Sequence, residues 1–342
     1  MNCLNSPTLF AQTNSRLAGL WKNSQTPERI VSLAGDASTR SYFRAYYEDG
    51  HTAIIMLQAH AGAHEEASFL EVHQFLQKLE LPVPEILAHD ADQSALLLED
   101  LGDDLLEIVT ARASEKEVSD LYVQAVDLLA RMRDATVGIN SGCRAFDLAF
   151  DEEKLMQEMN FFMTHFVSGL CRNNPSPSAT GLLEEFFRRI CRLLSTEPRI
   201  FTHRDFHSRN LILHGKRLVM IDFQDARMGP AQYDLASLLR DSYVSLQAQL
   251  VESLLGYYAK ETGEADPGRF RYVFDVMSLQ RNIKALGTFG YQASVRGSNR
   301  YLSSIPRTGA YIATNVALYP EFSRFRRVVE EFISGPAISM TR

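Results

Sequence analysis

The run FTHRDFHSRNLILHGKRLVMIDFQDA, residues 201–226, brings His203, Asp205, Asn210, Asp222 and Asp225 into one short stretch. Between Asn210 and Asp222 lie two apolar segments, LIL and LVMI, joined by HGKR, whose glycine suits a tight turn. Strands paired about that turn would return Asn210 and Asp222 to the same end. An amide oxygen and a carboxylate placed together suit Mg²⁺, a hard cation that keeps coordination room for substrate phosphates. Asp205 lies five residues before Asn210. A carboxylate beside such a metal, but outside its ligand set, can accept a hydroxyl proton.

Each of these residues alone is an ordinary turn former. In order, His203, Asp205, Asn210, a hairpin and Asp222 follow the D-x-x-x-x-N plus later Asp pattern of phosphoryl transfer from ATP with Mg²⁺. His203 and His207 have the spacing of a helical zinc pair, but the glutamate such a site needs between them is absent and no helix is expected here. His203 is read as a buried imidazole bracing the loop, and His207 as a loop residue. Asp225 is open between a metal or acceptor contact and structural capping. Asp234, just before Leu235, Leu238 and Leu239, is read as structural, at a helix N-cap.

The elements around this run divide into two regions. In IVSLAGDASTRSYFRAYYEDGHTAIIMLQ, residues 30–58, turn residues separate apolar runs and predict antiparallel hairpins. EEASFLEVHQFLQKL places Phe69, Val72, Leu76 and Leu79 on one helical face, and Pro82 and Pro84 stop it. SALLLEDLG adds a short buried strand. From about residue 105 the period becomes helical, with Ser114 and Glu117 as a capping box. A second such helix carries Leu182 to Leu194 after the loop CRNNPSPSATG. The expected fold class is α+β, with residues 1–102 a β-rich nucleotide-binding lobe and 103–342 a larger, mainly α-helical lobe carrying the catalytic loop and acceptor site.

With 342 residues, 45% of them hydrophobic, the chain has ample material for a packed core. A net charge of -7 argues against a nucleic-acid partner, so any phosphate site must be local. No signal peptide and no membrane span are read, and four unpatterned cysteines fit reduced thiols in a cytoplasm.

HRDFHSRNLIL, VMIDFQDARMGPAQYDLASLLRD and LLLEDLG resemble the aminoglycoside phosphotransferase and choline kinase superfamily, over nearly the whole chain. GDASTRSYFR and QRNIKALGTFGYQASVRGSNRYLSSIPR are similar, more narrowly, to the bacterial anomeric kinases that phosphorylate N-acetylmuramate and N-acetylglucosamine at the 1-hydroxyl in cell-wall recycling. The resemblance implies a two-lobed protein-kinase-like fold, ATP and Mg²⁺ as cofactors, and a small-molecule sugar acceptor. It implies Asp205 as base, Asn210 and Asp222 as metal ligands, and an adenine-binding hinge at Glu99, Asp100 and Leu101. LAGDASTRSYFR would cover the phosphates, with donors from Ser38, Thr39 and Arg40.

The third strand, AIIMLQ, lacks the lysine that the V-A-I-K pattern supplies to the phosphates. Either Arg40 or Arg44 provides that cation, since a guanidinium forks onto phosphate oxygens, or the chain is a nucleotide-binding pseudokinase. Retention of Asp205, Asn210 and Asp222 favours activity. Between Val276 and Pro320 stand Arg281, Lys284, Arg296, Arg300 and Arg307 with no Asp or Glu. Such a segment disfavours a polycationic aminoglycoside and suits a neutral or anionic acceptor. Arg281 or Lys284 is expected to meet the lactyl carboxylate of N-acetylmuramate, unless these charges face solvent from an amphipathic helix. A kinase for another small alcohol, of aminoglycoside or choline type, is the alternative with the same fold.

Overall fold

The computed structural model describes residues 17, 19–21, 25–33, 40–58, 63–140 and 142–333. Ser38 and Thr39 lie outside the described residues. The chain divides into two compact units, residues 1–104 with 212–224, and 105–211 with 225–342.

The first unit is built on a five-stranded antiparallel sheet in the order β1-β2-β3-β5-β4. Its strands are β1 (Arg29–Ser32), β2 (Arg40–Tyr46), β3 (Thr52–Gln58), β4 (Ile86–Asp90) and β5 (Ala95–Glu99), with the helix Ala63–Lys78 between β3 and β4. One face packs Ile30, Ala45, Ala53, Ile55 and Leu97 against Leu17, Leu20 and Trp21. The pairing of β2 with β3 sets Arg44 opposite Ile54 and Arg40 opposite Gln58. β7 (Leu211–His214) and β8 (Arg217–Met220) form the expected hairpin, with Gly215 at φ 64 in its turn, a left-handed conformation that glycine adopts without penalty.

The second unit is mainly helical, with a two-stranded antiparallel sheet of β6 (Arg199–Thr202) and β9 (Arg227–Pro230). The helix Glu115–Thr136 starts on the predicted Ser114–Glu117 capping box. The helix Pro177–Ser195 starts earlier than the sequence suggests. Ser176 caps it and Pro177 occupies its first turn, where a missing N–H costs nothing, so PSATG is helix rather than loop.

The long helix Pro267–Ser294 is the centre of this unit. It packs against Glu152–Phe162, the π-helical segment Met163–Leu170, Gln232–Leu239 and Ile305–Leu318. Seventeen of its residues are buried, polar ones included, so no single apolar stripe marks it. Close approach to the π-helical segment depends on glycine: a Cβ on Gly290 would lie 2.5 Å from the His165 carbonyl oxygen. Among the described residues, no helix is long and apolar enough to cross a membrane.

Candidate active site

In the second unit, strand β6 delivers the chain into the loop 203–210, and three acidic side chains hold that loop. Asp234 accepts from the backbone N–H of His203 at 2.6 Å and of Arg204 at 2.9 Å. Asp241 accepts from the N–H of Ser208 at 2.9 Å and of Tyr243 at 2.8 Å. Glu107 takes both nitrogens of the Arg209 fork, at 2.7 and 3.0 Å. Arg204 is at φ 80, a strained conformation for a side-chain-bearing residue, and the Asp234 bond at its N–H sits beside an ion pair at its head, Nη1 to Asp225 Oδ2 at 2.7 Å.

The role of Asp234 differs in kind from an N-cap. It lies inside the helix Gln232–Leu239, whose cap is Ala231 with no side-chain bond, and it braces a loop thirty residues upstream instead. Burial pushes its carboxyl up to about 7 against the pull of those two N–H groups. Asp225, left open by the sequence, is the partner of Arg204. His203 is buried, with its ring edge-on to Phe206. His207 is pushed down to about 3 by burial, which outweighs the attraction of Asp205, so its imidazole is neutral.

The carboxylate of Asp205 receives two cations from the helix Pro267–Ser294. Lys284 Nζ donates to Oδ1 at 3.2 Å, and Arg281 Nη1 approaches the same oxygen at 3.4 Å. The Arg281 guanidinium also lies 5.1 Å over the ring of Tyr233. Both cations are buried or nearly so, with side chains 10% and 17% exposed, which sets aside the solvent-facing alternative. Burial alone would raise the Asp205 carboxyl, but Lys284, Arg204 and Arg281 together outweigh it and hold it well below the ordinary carboxylate range. Asp205 lines a pocket with His207, Arg240, Tyr243, Lys284 and Phe289.

Asn210 Nδ2 donates to the Asp205 carbonyl oxygen at 2.9 Å, which orients the amide and makes Oδ1 the atom suited to a metal. Asp222, in the first unit, is at φ 65 and accepts from Gln224 Nε2 at 2.7 Å. The Asp222 carboxylate is half-exposed, and a carboxylate oxygen is a donor of the kind a hard cation takes.

Also in the first unit, the two candidate phosphate-binding cations have different surroundings. Arg44 is engaged with acids: its Nε lies 2.6 Å from Asp100, and its two terminal nitrogens donate to Asp103 at 2.8 and 2.9 Å. Arg40 is buried, 3.9 Å from Asp222 Oδ1, with its guanidinium 5.8 Å over the ring of Phe69. Phe69 in turn stacks on Phe223 at 5.0 Å. Of the residues expected to form the hinge, Glu99 accepts from the Glu85 N–H, and Leu101 offers its carbonyl to His214 at 3.2 Å.

Glu107 and Asp241 were not picked out from the sequence. Asp241 lies beyond the end of the helix Gln232–Leu239, so no helical spacing from Asp234 marks it in the sequence.

A five-stranded antiparallel sheet in one unit, a helical second unit and a braced loop bearing Asp205 define a protein-kinase-like phosphotransferase. The chain belongs to the phosphotransferase enzyme family, whose model matches residues 29–272. It is 30% identical over 319 residues to the N-acetylmuramate/N-acetylglucosamine kinase of Pseudomonas aeruginosa, with 90% of each chain covered. A kinase of the same name from Neisseria meningitidis serogroup B is 28% identical over 323 residues, covering 92% of this chain and 94% of that one. A solved aminoglycoside phosphotransferase with ADP bound is similar with a TM-score of 0.61 at 15% identity, over 90% of this chain and 97% of that one, a likeness of fold alone.

Proposed function

We propose that this chain is a Mg²⁺- and ATP-dependent kinase that phosphorylates the anomeric (1-) hydroxyl of an N-acetylated amino sugar, N-acetylmuramate or N-acetylglucosamine, in cytoplasmic peptidoglycan recycling. The observation that carries the reading is Asp205, set in a pocket of a chain 30% identical to a kinase named for those two sugars. In this reading Asp205 orients the acceptor hydroxyl and takes its proton as the phosphoryl group moves. A carboxylate held well below its usual range is a weak base. A hemiacetal hydroxyl, more acidic than an ordinary alcohol, needs no stronger one.

Residues 1–102 would bind the nucleotide and 103–342 the acceptor. Asn210, through Oδ1, and Asp222 would hold Mg²⁺, whose charge offsets that of the phosphates when bound. Main chain at Glu99, Asp100 and Leu101 would meet adenine, and Ser38, Thr39 and Arg40 the phosphates. Because Arg44 is occupied by Asp100 and Asp103, Arg40 is the better candidate for the cation missing from the third strand. Arg281 and Lys284 would act on the acceptor chiefly by holding Asp205.

ADP release should be followed with N-acetylmuramate, N-acetylglucosamine, kanamycin, choline and no acceptor. Turnover confined to the two N-acetylated sugars is the expected result. Turnover with kanamycin or choline alone moves the chain to another acceptor class, and nucleotide binding without turnover makes it a pseudokinase.

A further inference from the structure

The wall of the pocket beside Asp205 contains one accepting atom and one donating atom that the surrounding residues leave open. Asp205 Oδ1 takes both cations, Lys284 at 3.2 Å and Arg281 at 3.4 Å, whereas Oδ2 has no hydrogen-bond partner among the described residues. His207, two positions on, lines the same pocket. The charges that act most on its ring, Asp205, Arg281 and Lys284, all stand in that wall.

The direction of the His207 ring is fixed at two points. Its Nδ1 accepts the backbone N–H of Arg209 at 3.3 Å. Its ring meets that of Tyr243 edge-on, with centroids 5.4 Å apart, and Tyr243 is covered in turn by the Arg209 guanidinium at 3.6 Å, which Glu107 holds. An imidazole that accepts at Nδ1 carries its proton on Nε2 and can only donate there. That Nε2 has no hydrogen-bond partner among the described residues and is not sealed in protein. Once a ligand displaces water from the pocket, Nε2–H keeps a partner only where the ligand presents an oxygen, and a donor left unpaired there weakens binding.

We infer that His207, through Nε2–H, donates to the acetamido carbonyl at C2 of the acceptor sugar and so sets a preference for N-acetylated sugars over their plain or free-amine counterparts. The inference rests on the sugar-kinase reading of the same site. C2 is bonded to C1, so with the 1-hydroxyl at Asp205 its substituent is the next group to meet the pocket wall. An amide carbonyl is the strongest neutral acceptor on such a sugar. Glucose has a hydroxyl oxygen at that place, a weaker acceptor, and glucosamine has an ammonium, which brings donors only and leaves Nε2–H unpaired. Both sugars of the proposed function carry the acetamido group. Lys284 and Arg281, the other donors beside Asp205, are turned onto its Oδ1.

The test is kcat/KM for N-acetylglucosamine, glucose and glucosamine with the wild-type enzyme, His207→Phe and His207→Gln, whose amide nitrogen can stand in for Nε2. The wild type should prefer N-acetylglucosamine. In His207→Phe the ratio of kcat/KM between N-acetylglucosamine and glucose should fall about 10- to 100-fold, with partial recovery in His207→Gln. An unchanged ratio in His207→Phe, an equal loss for both sugars, or a wild type that uses glucose as well as N-acetylglucosamine overturns the inference. A second arm needs no variant: wild-type protein labelled with ¹⁵N-histidine should show a ring Nε2–H resonance that shifts with N-acetylglucosamine and not with glucose. If no histidine ring responds to N-acetylglucosamine, the inference is overturned even where the variants fail to fold. If the wild type phosphorylates no N-acetylated sugar, the sugar-kinase reading itself has failed and this inference falls with it.

Discussion

Lys284 Nζ donates to Asp205 Oδ1 at 3.2 Å, so the side chain proposed to take the acceptor proton is clamped by a cation from the unit's central helix. The working form of Asp205 is the carboxylate, and its pKa lies well below the ordinary range. Turnover should therefore show no acid limb from Asp205 between about pH 5 and 8. In Lys284→Met, burial is opposed only by the remaining cations, the pKa rises, and activity should be lost as pH falls through the raised value. Lys284→Arg should restore the flat profile. A Lys284→Met enzyme that is slower at every pH, with an unchanged profile, would show that the lysine does not act through Asp205.

Arg40 and Arg44 should separate kinetically. With Arg44 bound to Asp100 and Asp103, and Arg40 beside Asp222, removing the Arg40 charge should cost about 10- to 100-fold in kcat/KM for ATP. Arg44→Met should chiefly lower the melting temperature. The reverse pattern would transfer the phosphate role to Arg44.

Asp234 predicts a pH dependence of stability. Its carboxyl is raised by burial from 3.8 to about 7, so between those values the folded chain binds more protons at this site than the unfolded chain. The sign follows: this contribution is fully present below the unfolded value and is lost as pH rises through about 7. Denaturation of the wild type and Asp234→Asn, compared from about pH 5 to 8, should show the wild type losing stability relative to the variant. A constant difference would mean that Asp234 does not titrate in this window.

Two glycines should respond oppositely to alanine. A methyl on Gly290 would meet the backbone of His165 and Phe166, where nothing flexible can yield, and should cost about 1–3 kcal/mol. Gly256, in the helix Ala248–Glu261, is exposed, and a methyl group there would meet nothing within 4 Å, so alanine should gain about 0.5–1 kcal/mol. Urea midpoints for both variants check the pair, and a stable Gly290→Ala would show that the π-helical segment is not tightly seated.

What could be read in advance was what depends on neighbours in sequence. Ser114 and Glu117 announce their helix because a capping box spans three residues, and Gly215 marks the hairpin because its turn is local. Ser176 and Pro177 misled, because a Ser/Pro-rich run resembles a loop until one recognises a cap followed by a first-turn proline. The brace of Asp234 on His203 and Arg204 spans thirty residues, and no pattern around Asp234 reports the partner. Arg281 and Lys284 were visible as charges near the acceptor chemistry. Their contact with Asp205 was not, because it depends on a helix buried on every side, where amphipathic spacing carries no information.

The most direct test of the account is the chemical identity of the product. The wild-type enzyme, ATP, Mg²⁺ and an N-acetylated amino sugar should give a sugar 1-phosphate by ³¹P and ¹H NMR. Asp205→Asn should form it roughly 10²- to 10⁴-fold more slowly while still binding nucleotide. A phosphate on any other hydroxyl, or a product formed at an undiminished rate by Asp205→Asn, would contradict the assignment of Asp205 to an anomeric acceptor.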